Sequence, residues 1–172
     1  RLEHPVSYCL TLLYATSVYL WSEHWSDAEH AIARLAETSS AYSLEPYFAG
    51  GQALSGELLH ARGEHAAAIE LLSEASRRLN CERQIAQAPY CTMIWADALW
   101  ATAQFGSALD VLDQAIEQRM RGGGSFEMPE MLRIRACILL GSSAQNEDAA
   151  VECLERALEL ARHQGALSWE LK

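Results

Sequence analysis

Apolar helical stretches alternate along the chain with short polar breaks, and the pattern returns about every forty residues. One series of small residues, each forty positions after the last, comprises Thr16, Gly56, Ala96 and Ala136. Three places further on stand Tyr19, Leu59, Leu99 and Leu139. A second small series comprises Ala28, Ala68, Ala108 and Ala150. Aligned series of this kind predict four copies of one structural unit.

Each unit has the pattern of two helices. Apolar residues return at helical spacing on both sides of a polar break, and no alternating run competes as a strand. Proline is tolerated in the first turn of a helix, because the N–H groups there have no partner within the helix. The first helices are therefore predicted to open at Pro5, Pro46, Pro89 and Pro129. The predicted caps of second helices are Ser26, Ser107 and Asn146. The helix pairs are predicted at 4–40, 44–80, 83–121 and 127–165, with a further helix starting in 166–172.

Small residues indicate where two helices approach closely. A single helix pair cannot bury both of its faces, so several pairs are expected to stack into one continuous core. The stretch "LSGELLHARGEHAAAIELLSEA" (54–75) resembles a tetratricopeptide repeat, although the period here exceeds the usual length of about 34 residues. We therefore predict an all-α fold, an α-α superhelix of about four elongated pairs forming one domain over 1–172.

Catalytic signatures are weak. Glu57 and His60 have the spacing of a ligand pair in di-iron bundles, but the chain lacks a second such motif on a facing helix. The glycines in "RGGGSFEMPE" (121–130) follow no strand and precede no Gly-Lys-Ser/Thr sequence. A small metal-dependent helical enzyme using Glu57 and His60 is the least favoured alternative. We expect no catalytic residues, no metal site and no cofactor.

Composition narrows the partners. The net charge of −10 argues against direct nucleic-acid binding by this segment, because a phosphate backbone requires clustered cationic side chains. No run of about 18 apolar residues suggests a membrane span. The five cysteines include no C-x-x-C motif and favour buried, reduced thiols. These features favour a cytoplasmic protein that binds neither membrane nor nucleic acid.

A binding surface is predicted on the first helices, which line the concave side of stacked helix pairs. Aromatic anchors flanked by carboxylates suit a peptide, a partner helix or a cationic small molecule. The alternative is that Trp21 and Trp100 only pack between neighbouring helices. The residues predicted to face the groove are Trp21, Glu57, His60, Tyr90, Met93, Asp97, Trp100 and Arg133.

Two stretches, "HPVSYCLTLLYAT" (4–16) and "ALELARHQGALSWELK" (157–172), resemble the start and end of a helical-repeat region in one bacterial regulator family. Those regulators carry a winged-helix DNA-binding domain and a signal-transduction P-loop ATPase of the STAND type. "MLRIRACILL" (131–140) is similar to the family pattern Leu-Arg-Ile-Lys-Gly-Glu-Leu-Leu-Leu, with Ala136 and Cys137 replacing Gly and Glu. Related regulators carry a nucleotide-cyclase domain instead of the winged helix.

The resemblance implies a non-enzymatic sensor and protein-interaction module. An inducer or partner protein would bind the groove and control the ATPase domain of the same polypeptide. A free-standing scaffold for protein complexes is the competing interpretation. In the family a further helix continues after 164–171, so both ends of this chain are expected to expose apolar surface and to promote self-association.

Overall fold

A computed structural model describes residues 4–81, 87–121 and 125–166. These residues form α-helices, one short 3-10 turn at Ala144–Asn146 and connecting turns, with no strand among them. The all-α prediction is therefore confirmed, whereas the superhelical arrangement stays a prediction. The helices are α1 (Pro5–Trp21), α2 (Trp25–Ala41), α3 (Glu45–Ala61), α4 (His65–Cys81), α5 (Ala88–Ala101), α6 (Phe105–Arg121), α7 (Met128–Ser142) and α8 (Glu147–Gln164).

The first helices begin at the prolines, whereas of the three predicted caps only Asn146 occupies the N-cap position of its helix. Pro5, Pro46, Pro89 and Pro129 all lie in the first turn of a first helix. Ser26 and Ser107 lie inside α2 and α6 instead of preceding them. Asn146 makes no capping bond, because its amide donates to the carbonyl of Leu139 and the hydroxyl of Ser142. A local sequence pattern does not reveal these competing partners.

Three turns within helix pairs repeat the same backbone geometry. Glu23, Gly63 and Ala103, each forty residues apart, adopt φ of 59°, 82° and 58°. The following amide in each turn donates to a carbonyl five residues back, namely His24 to Tyr19, Glu64 to Leu59 and Gln104 to Leu99. This bond joins the end of each first helix to the start of the second. The fourth turn, before α8, is instead a 3-10 segment that accommodates two extra residues.

The chain divides into two compact units, Arg1–Ile94 and Trp95–Lys172, and the division falls within α5. In the first unit α1 packs on α2 and α3, and α3 packs on α4. The two helices are in tight contact at Gly56, where an added Cβ would lie 2.5 Å from Cγ of Leu72. Leu35 and Leu72, both on second helices, are completely buried. The absence of a side chain at Gly56 in α3 therefore leaves space for Leu72 from α4.

In the second unit α7 packs on α6 and α8. Ala136 and Ala150 have no exposed surface, as the alignment of small residues predicts. Met128, Leu132 and Ala157 form a second cluster along the same helix pair. Residues 83–86 of the predicted third pair, the three consecutive glycines 122–124 and most of the predicted helix start at 166–172 lie outside the described residues. The prediction of one continuous repeat domain is not tested.

Candidate functional site

Three first helices of the first unit contribute one side chain each to a hydrogen-bonded cluster. The indole Nε1 of Trp21, the last residue of α1, donates to the hydroxyl of Tyr90 at 3.0 Å. That hydroxyl, on the first turn of α5, donates to Oε1 of Glu57 on α3 at 2.6 Å. Each donor and acceptor has the role its chemistry requires. We call Trp21, Glu57 and Tyr90 the aromatic–carboxylate cluster.

Glu57 is the buried member of the cluster, with only 9% of its surface exposed. Its second carboxylate oxygen, Oε2, is also buried and has no hydrogen-bond partner. Burial raises the pKa of Glu57 to about 7, while the hydrogen bond from Tyr90 and the charge of His60 act in the opposite direction. A buried carboxyl with one unused oxygen is a costly arrangement for a purely structural residue.

A histidine pair lies one turn beyond Glu57. Nδ1 of His60 is 3.0 Å from Nδ1 of His65, the first residue of α4, and the ring centroids are 4.9 Å apart. A hydrogen bond between two imidazole nitrogens requires one ring to donate and the other to accept. Among the described residues, no group of three or more histidine, cysteine, aspartate or glutamate side chains could hold a metal ion.

The predicted groove residues of the second unit contact other side chains of that unit instead of forming a hydrogen-bonded cluster. Arg133 forms a bidentate ion pair with Glu130, at 2.8 and 3.0 Å, one turn earlier on α7. Its pKa is raised, chiefly by these hydrogen bonds and to a lesser degree by the charge of Asp97. The indole of Trp100 lies against α7, since its Nε1 would be 2.7 Å from a Cβ at Gly141. Trp100 nevertheless keeps 37% of its surface exposed.

Met93 does not belong on an accessible surface. It is 3% exposed, so its side chain lies in the core. The sequence assigned it to the groove because it shares a register with Arg133, forty residues later. Equivalent positions do not guarantee equal exposure, because the neighbouring side chains differ. We therefore remove Met93 from the candidate surface.

A cleft that no sequence motif indicates lies in the second unit, between α6, α7 and α8. Its volume is about 640 Å³, and its lining combines acidic side chains with Leu132, Arg135 and Cys153. Nε of Arg135 donates to Asp113 at 2.6 Å, and Nη1 lies 3.0 Å from the Cys153 sulfur. These residues come from three helices and follow no recognisable motif. Only the packing of the helices brings them together.

Comparison with known protein families, with curated proteins and with solved structures found no match. In the part of the chain that the structure describes, no helix has the length and apolar character needed to cross a membrane.

Proposed function

We propose that this chain is the sensor and protein-interaction module of a bacterial transcriptional regulator. An inducer or partner protein binds the face formed by the first helices. Binding controls an ATPase and a DNA-binding domain encoded upstream, and the module itself catalyses no reaction. The protein acts in the cytoplasm.

The aromatic–carboxylate cluster is the observation that carries this proposal. Trp21, Glu57 and Tyr90 lie far apart in sequence and belong to three different first helices, yet they share one hydrogen-bonded chain. Aromatic side chains beside a desolvated polar group are typical of binding surfaces. The all-helical architecture and the resemblance of 4–16, 131–140 and 157–172 to a regulator's repeat region support the rest of the assignment.

The coding sequence on both sides of this chain, together with the intact mass of the native protein, provides the first test. A winged helix followed by a G-x-x-x-x-G-K-[ST] loop is the expected result. A cyclase domain in place of the winged helix would keep the sensor role and change the output. A gene that contains only further helical repeats would contradict the regulator and favour a scaffold.

The double substitution Trp100→Ala with Asp97→Ala should abolish the inducer response of the full-length protein while leaving its helical content intact. Both residues lie on the first-helix surface of the second unit, where an aromatic ring and a carboxylate would contact the ligand. Reporter transcription measures the response, and far-ultraviolet circular dichroism measures the fold. The matched control is Phe126→Ala with Asp148→Ala, which removes another exposed ring and carboxylate outside that surface. An unchanged response in the first variant would exclude these residues from the site.

A further inference from the structure

The unused oxygen of Glu57 is the most informative feature of the aromatic–carboxylate cluster. Oε1 already accepts the Tyr90 hydroxyl, whereas Oε2 is buried without a partner. No arginine or lysine forms an ion pair with this carboxylate in the described part of the chain. An ionised Glu57 therefore needs a donor that the described residues do not supply, and a positively charged donor would compensate best for the lost hydration.

The surroundings of Glu57 favour an organic cation. Trp21 and Glu57 bond to the same Tyr90 hydroxyl, so one small ligand can reach both of them. The Trp21 indole is 69% exposed, which leaves its π-face available to a cation. The ring can also turn aside to admit a ligand at the cost of its surface hydrogen bond to Tyr90.

Only one of the two oxygens of Glu57 lacks a partner, and this favours one kind of organic cation over another. A guanidinium group binds a carboxylate best through two parallel N–H bonds to both oxygens, and here Oε1 is occupied by Tyr90. An ammonium group is a compact donor that can satisfy one oxygen alone. The arrangement therefore fits an alkylammonium group better than a guanidinium group.

We propose that the aromatic–carboxylate cluster is a binding site for an alkylammonium group, which donates to Oε2 of Glu57 and stacks its methylene chain and charge against Trp21. This inference rests on the proposed function, because it specifies the ligand of the same surface. The ammonium belongs either to a free amine or to a lysine side chain of a partner protein.

Binding of the ammonium group depends on the ionisation of Glu57. The groups that face Glu57 are Tyr90 from α5, His60 on α3 itself and the buried thiol of Cys91, whose pKa burial raises to about 12. Nδ1 of His65 on α4 lies 3.0 Å from Nδ1 of His60. The pKa of Glu57 is near 7, so most of the carboxyl is protonated at pH 6 and ionised at pH 8. The affinity for an ammonium should therefore be about tenfold higher at pH 8 than at pH 6.

Butylammonium chloride is the probe, and the indole N–H resonance of Trp21 is the readout. The chain contains five tryptophans, so Trp21→Phe identifies that resonance by its loss. We expect a saturable shift at pH 8 that weakens by about tenfold or more in Glu57→Gln, which keeps the shape and loses the charge. Glu37→Gln removes an exposed carboxylate elsewhere and should bind as the native protein does.

Several results would overturn the proposal. One is that Glu57→Gln binds butylammonium as tightly as the native protein does. Another is that the native protein binds neutral butan-1-ol as tightly as butylammonium, or butylguanidinium as tightly or more tightly. The last is that its affinity for butylammonium does not increase between pH 6 and pH 8. The pH comparison uses the native protein and stands even if Glu57→Gln fails to fold. A capped Ala-Lys-Ala peptide that binds more tightly than butylammonium identifies a partner lysine as the source, and a weaker one identifies a free amine.

The two proposals can fail separately. A regulator gene around this chain with no ammonium binding would leave the sensor assignment standing and overturn the ligand class. Ammonium binding in a protein whose gene contains only repeats would support the site and contradict the regulator.

Discussion

At the scale of the residue, Glu57 combines burial with an incomplete set of partners. Only 9% of the surface of Glu57 is exposed, so water is largely excluded from its carboxyl group. The hydrogen bond from Tyr90 offsets part of the cost of ionisation, and desolvation outweighs it. Glu57 is therefore a residue whose charge state changes near neutral pH.

The contribution of Glu57 to the free energy of unfolding should decrease as the pH rises from about 5 to about 8, and should stay constant above that pH. The unfolded chain releases the Glu57 proton near the ordinary carboxyl pKa of 4.5, while the folded chain retains it until about 7. The folded state binds more protons in that window, so its advantage is lost as pH rises. The expected loss is about 3 kcal/mol.

Denaturant unfolding of the native protein and of Glu57→Gln at several pH values measures this effect. Subtracting the variant removes the contribution of every other titrating group. Parallel curves for the two proteins would show that Glu57 titrates normally. Glu37→Gln should reproduce the native pH dependence, because Glu37 is exposed.

At the scale of the element, the turn inside each helix pair is the most regular local structure. Glu23, Gly63 and Ala103 occupy the same left-handed backbone region, and only one of them is a glycine. A side chain in that region costs about 1 kcal/mol or more. The amide that follows each of them bonds to the carbonyl at Tyr19, Leu59 or Leu99, and this bond holds the residue in place.

Replacing Ala103 by glycine should raise the free energy of unfolding of the second unit by about 0.5–1 kcal/mol, because glycine adopts a positive φ without strain. The gain is smaller than the strain itself, since glycine also gives the unfolded chain more conformational freedom. The reciprocal change, Gly63→Ala, should destabilise the first unit by about 1 kcal/mol. An added Cβ at Gly63 would meet no atom within 4 Å, so the effect reports the backbone alone. Thermal unfolding measures both variants.

A suitable control is Gly106→Ala, at a helical glycine with ordinary φ and open space around it. That change should be neutral or slightly stabilising, since alanine is the better helix former. A destabilised Ala103→Gly would show that the turn is not strained.

At the scale of the whole molecule, one face of α1 is apolar and exposed. Val6, Leu10, Tyr14 and Val18 follow one another at four-residue intervals and form a continuous stripe, and Tyr14 is 69% exposed. Stacked helix pairs are expected to expose apolar surface at an end that lacks a neighbour, and α1 carries such a surface. Contiguous apolar surface of this kind favours association.

Self-association of this chain should therefore depend on the α1 stripe. Tyr14→Arg places a charge at its centre and should shift the protein towards the monomer, as measured by sedimentation velocity over a wide concentration range. Ser40→Arg adds the same charge at an exposed position on α2 and should leave association unchanged. Equal behaviour of both variants would show that the stripe does not mediate contact.

The sequence determined the elements of this protein because periodicity and small-residue spacing are local properties. Proline positions predicted where first helices open, and the small residue Gly56 predicted a close contact between α3 and α4, which the structure shows against Leu72. The same reasoning placed Trp21, Glu57 and Tyr90 on first helices, but register alone could not show that they bond to one another.

Tertiary structure decided which of those side chains are buried and which are paired. Met93 and Arg133 share a register, yet one lies in the core and the other forms an ion pair, because burial depends on neighbours from other helices. The unused oxygen of Glu57 is likewise a product of packing. A sequence pattern fixes the face of a helix that a residue occupies, whereas the contacts across that face arise only when the helices meet.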